Sequence, residues 1–81
     1  MMRVSGVTFS GRDMVVQFDT GEALAVPLSF FPELAGAPPA QRERYALIGS
    51  GIGVSWEALD VDLSVENILN AHSRARLPAY A

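Results

Sequence analysis

Few side chains in this sequence are equipped for chemistry. His72 is the only histidine, and as a general base it would have to work alone. No carboxylate stands four residues before or after it to orient the ring. General acid–base catalysis needs a positioned group with a tuned pKa inside a pocket, so a surface or helix-end histidine is expected. There are no cysteines, which excludes disulfides, thiolate metal sites and cysteine nucleophiles together. Asp60, Asp62 and Glu66 offer alternating carboxylates of the kind that hold hard cations, but the glycine and the bidentate glutamate of a calcium loop are missing. Capping of a following helix by Asp62 or Ser64 is the preferred reading. Gly49-Ser50-Gly51-Ile52-Gly53 looks like a phosphate-binding loop only at its start, because such loops open a helix and this one enters an extended segment. It reads as a turn. No catalytic residue, metal or cofactor is expected, and the chain is read as a non-enzyme.

The residues better suited to contact than to catalysis are Trp56, Arg42 and Arg44, types enriched where protein surfaces bind. They could form one patch. Burial is the preferred reading for Trp56, the largest apolar group in a domain short of core, and Arg42 can reach an acid such as Asp60. A second candidate surface is the C-terminal segment, where Arg74, Arg76, Leu77 and Tyr80 make a short basic stretch with two apolar anchors.

These side chains must be positioned by short elements. Val7 and Phe9, then Met14, Val16 and Phe18, then Leu24, Val26 and Leu28 alternate with smaller or polar residues, the period of half-buried strands. Turns at Ser10-Gly11-Arg12-Asp13 and Asp19-Thr20-Gly21-Glu22 make residues up to 28 a three-stranded meander. Ser29 is placed to cap a short helix from Phe30 to about Leu34, and Pro38-Pro39 starts another near Ala40 to Arg44. Residues 45 to 48 and 52 to 56 read as a second hairpin in the same sheet. Ser64 would then cap a helix of about seven residues with Val65, Ile68 and Leu69 on one face. The expected fold is α+β: an antiparallel sheet of about five strands with two or three short helices packed on it. Residues 1–71 would form one domain and 72–81 a flexible tail.

Eighty-one residues, 49% of them hydrophobic and 19% charged, suffice for one small core and lack the signature of disorder. All nine acids precede residue 72, against four arginines, a local balance of −5 within a total of −3. An acidic body is a poor match for phosphate, so nucleic acid is disfavoured as its partner. The first residues carry no apolar run of signal-peptide length, and Pro27 breaks the apolar stretch from Ala23 to Phe31, so a cytoplasmic location without membrane insertion is expected.

The order of these elements, with Val26-Pro27-Leu28, Phe31-Pro32-Glu33-Leu34, Arg42, Gly51-Ile52-Gly53-Val54-Ser55-Trp56 and Leu59-Asp60-Val61-Asp62-Leu63-Ser64-Val65, resembles the DUF2442 family of small bacterial proteins over residues 3 to 70. Where the family usually has proline after the tryptophan and an acid between the two aspartates, this chain has Glu57 and Val61. The resemblance implies a compact α+β domain with no catalytic residues. It also implies a partner, since members are often encoded beside a small DUF4160 protein in what looks like a toxin–antitoxin pair. The functional expectation is a non-catalytic protein-interaction module, antitoxin-like or an accessory subunit, that masks a small partner. The alternative is a transcriptional or nucleic-acid accessory regulator. A homodimer is also plausible, because so small a sheet leaves edges to cover.

Overall fold

The computed structural model describes residues 2–76. Strands β1 (Val4–Ser10), β2 (Asp13–Phe18) and β3 (Ala23–Pro27) form the expected antiparallel meander in the order β1-β2-β3. Its pairing explains one feature that simple alternation misses. The register slips between Val4 and Gly6, so Ser5 is an extra residue on β1, a bulge. That insertion shifts the phase, and Val4 and Val7 both turn inward although they are three residues apart. On β2 the alternation holds without a break, burying Met14, Val16 and Phe18.

The rest of the sheet does not join this one. Strands β4 (Ala46–Ile48), β5 (Gly53–Trp56) and β6 (Val61–Ser64) form a second three-stranded antiparallel sheet, β4-β5-β6. The architecture is α+β with six strands in two sheets, which corrects the expectation of one five-stranded sheet. The reason lies in residues 57 to 64. A 3₁₀ turn at Glu57–Leu59 ends on Asp60, whose φ of 55° lies in the left-handed region and reverses the chain. Val61 to Ser64 then pairs with β5 and turns Leu63 into the core, so the segment expected to lead into a helix is itself a strand.

The two sheets meet at a corner where the Val4 amide donates to the Gly51 carbonyl at 2.8 Å. The contact is too close for a side chain. Gly51 has a φ of +105°, and a Cβ there would strike the Val4 backbone.

The helices differ from expectation mainly in their limits. Leu28–Phe30 is a 3₁₀ turn; α1 (Pro32–Ala35) follows with Phe31 at its N-cap, so Ser29 does not cap it, and α2 (Pro39–Arg42) is a single turn. Helix α3 (Val65–Arg76) has 12 residues, extending five past Ala71 into the segment assigned to a tail. Its start is fixed reciprocally: the Asn67 amide donates to Ser64 Oγ at 3.1 Å, and the Ser64 amide to Asn67 Oδ1 at 3.0 Å. It buries Ile68 and Ala71.

Helix α3 also covers an exposed edge. The register pairs Val15 with Ala25, while Phe18 bonds Glu22 and Leu28 bonds Arg12, so the alternation of the ladder turns Ala25's own carbonyl outward from β3. His72 Nδ1 lies 3.0 Å from that carbonyl and donates to it. The histidine is therefore a clasp between α3 and a sheet edge.

Replacing Gly51 with alanine should force the corner between the sheets apart. We expect a loss of at least about 2 kcal/mol in urea unfolding, from left-handed strain and the collision with Val4 together. Gly21→Ala, at a site with a φ of +92° but open space, should cost less.

Candidate functional site

The densest set of specific contacts surrounds the segment from Arg42 to Tyr45, which joins α2 to β4. Trp56 is buried, with 1% of its surface exposed, and its indole N–H donates to the Arg42 carbonyl at 2.7 Å. The Tyr45 ring stands 6.4 Å from the Trp56 ring, tilted by 53°, a separation at which aromatic pairs attract. The Tyr45 hydroxyl accepts the Val7 amide at 3.1 Å, an outward-facing N–H of β1. The circuit closes through Arg42, whose guanidinium carbon lies 5.7 Å from the centre of the Phe9 ring, also on β1. Cation–π attraction operates at that range. One short segment is thus tied to both sheets.

Arg42 is the most unusual group in this circuit. Its Nε is shut off from solvent and has no hydrogen-bond partner, a state that carries a desolvation cost for a charged donor. Two adjoining clefts share Arg42 and Gly11. One, of about 190 Å³, is lined also by Phe9, Pro39 and Glu43. The other, of about 480 Å³, is formed by the β1–β2 turn with Arg12 and Asp13, by Pro27 to Ser29, and by Ala35.

The residues anticipated as partner contacts fall in different places. Arg42 is half-buried between the two clefts and does not pair with Asp60; Arg44 is exposed. Trp56 is interior, so its ring is not offered to a partner; it fixes the backbone that carries Arg42. Arg74 is exposed on α3 and borders a depression with Phe30, Phe31, Leu63 and Asn67, which shares no residue with the Arg42 clefts. Arg76 is the last residue of α3, and Leu77 and Tyr80 lie outside the described residues. Asp62 and Glu66 are exposed, and among the described residues no three His, Asp or Glu side chains group as metal ligands would.

Ile52 is a surface residue that sequence reasoning placed in a strand. It lies in the turn before β5, outside the alternation that buries Val54 and Trp56, and stays 51% exposed. Around it Met2, Val65 and Leu69 make a mostly apolar depression of about 300 Å³, rimmed by Ser64 and Glu66. The glycines on both sides were the available signal, because they let the chain turn there before the strand begins.

The profile of a family described as "Protein of unknown function (DUF2442)" matches residues 4–73. A crystal structure of a protein of unknown function from Rhodospirillum rubrum ATCC 11170 superposes with a TM-score of 0.74 at 28% identity, over 86% of this chain and 87% of that one. No functionally curated protein matches the sequence.

Replacing Trp56 with phenylalanine keeps most of the buried ring but removes the donor to Arg42. Denaturant unfolding should show a loss of about 1–3 kcal/mol, the cost of a stranded buried acceptor. Hydrogen exchange should accelerate through residues 42 to 45 more than in β2.

Proposed function

Because the chain belongs to the DUF2442 family, we propose that it is a non-catalytic protein-interaction module, antitoxin-like or an accessory subunit, that works by covering a surface of a small partner protein. The observation that carries this reading is Ile52, a large aliphatic side chain half exposed within an apolar depression. An apolar centre with a polar rim is the anatomy of a binding surface, and burying such a centre against another protein releases the water that Ile52 holds ordered. The shape of the patch supports the same reading. Met2 precedes β1, Ile52 sits in the turn before β5, and Val65 and Leu69 lie on α3, so segments far apart in the chain build one surface.

A partner of DUF4160 type is the natural candidate under this reading, and the site of action is the cytoplasm. No helix among the described residues is long and apolar enough to cross a membrane. Self-association is the competing use of the same surface, with Leu47 on the short edge strand β4 also exposed, at 38%. Nucleic acid is a poorer fit, because the nine acids sit in the folded body.

A photo-crosslinking residue placed at position 52 in cells should capture one small protein in stoichiometric yield, and Ile52→Asp should reduce affinity for that protein at least about tenfold with the melting temperature unchanged. Cross-links only to a second copy of the chain would move the reading to a homodimer. Cross-links only to nucleic acid would move it to regulation.

A further inference from the structure

We propose that the larger cleft beside Arg42 binds a carboxylate carried on a short, otherwise apolar peptide segment, held between Arg42 and Arg12. This is a site separate from the Ile52 surface, and neither depends on the other.

The cleft has a fixed frame. Its floor is tied together where the Leu28 amide donates to the Arg12 carbonyl at 2.9 Å, joining the end of β3 to the β1–β2 turn. Its Arg42 side is held by the Trp56 hydrogen bond and by the Phe9 ring. The arginine is therefore placed in advance, and its stem loses little further freedom when a ligand arrives.

Charge selects the ligand. The Nε of Arg42 is buried without an acceptor, so hydration of the guanidinium from that side is closed off, and an anion on the cleft side compensates the cation. A guanidinium matches a carboxylate with two parallel N–H donors. Arg12, exposed on the turn, supplies a second cation to the same cleft. Asp13 lines it too, so two arginines against one aspartate leave this cleft with one net positive charge, while Glu43 lines only the neighbouring cleft. The balance favours one negative charge over a polyanion.

Shape and polarity select what carries that charge. Pro27, Leu28 and Ala35 give the cleft an apolar wall, and about 480 Å³ is within the range of sites that hold small ligands. A carboxylate flanked by aliphatic side chains satisfies both halves of the lining. A free phosphate satisfies only one.

The test is nitrogen-15 NMR of the whole chain titrated with acetyl-Leu-Glu-Leu-amide, with acetyl-Leu-Gln-Leu-amide and inorganic phosphate as comparisons. The glutamate peptide should shift the amides of Gly11, Arg12, Ser29 and Ala35 and the Arg42 guanidinium resonance, and should bind at least tenfold more tightly than the glutamine peptide. Arg12→Gln, a change at an exposed turn, should weaken the glutamate peptide severalfold while leaving the glutamine peptide unaffected. Arg42→Lys should do the same by removing the fork while keeping the charge; if that variant fails to fold, the Arg12 variant decides alone. Equal affinity for the two peptides, stronger shifts with phosphate, or shifts centred on Ile52 would each overturn the proposal.

Discussion

The Trp56 ring is closed off from solvent, and its N–H must find an acceptor inside the protein, because a buried unpaired donor costs more than the bond returns when made. The acceptor is the carbonyl of Arg42, fourteen residues earlier in the chain. Much follows from that one bond. It ties the end of α2 to β5, three residues before Tyr45, whose hydroxyl takes the Val7 amide of the other sheet. The same bond fixes the backbone of Arg42, whose guanidinium lies against the Phe9 ring and lines both clefts.

Two small sheets raise a problem that one larger sheet would not, since each leaves two edges. Different devices meet it. One outer edge donor of β1 is taken by the Tyr45 hydroxyl, and an outer acceptor of β3 by His72 from α3. Pro27 at the end of β3 has no amide to leave unpaired. In the second sheet β4 has only three residues, too short to template much pairing. Among the described residues the large apolar side chains left exposed are Ile52, Leu47 and Phe30.

How much of this was legible depends on range. Strands β1 to β3, the Ser64 cap and the inward face of β2 follow from alternation and capping, which are local rules, and they stand as read from the residues; of the α3 face read as Val65, Ile68 and Leu69, only Ile68 is buried, and the other two border the Ile52 depression. The family resemblance also holds, over residues 4–73. The second sheet is not legible locally, because Val61 to Ser64 is only four residues long and follows a left-handed aspartate, a conformation for which the sequence offers no glycine. Burial of Trp56, the preferred reading from its size, holds, but its hydrogen bond to residue 42 is a tertiary fact without a periodic signature. Arg12 reads only as a turn residue for the same reason: nothing nearby in the chain reveals that it shares a cleft with Arg42.

The most direct test of the Arg42–Tyr45 segment as the tie between the two sheets is native-state hydrogen exchange at the Val7 amide and the Trp56 indole, compared with the Val16 amide in the centre of β2. The account predicts that all three exchange only through global unfolding, with equal opening free energies. Exchange at Val7 or the indole at least about a hundredfold faster than at Val16, through a local opening, would show that the sheets hold together without this circuit and would contradict it.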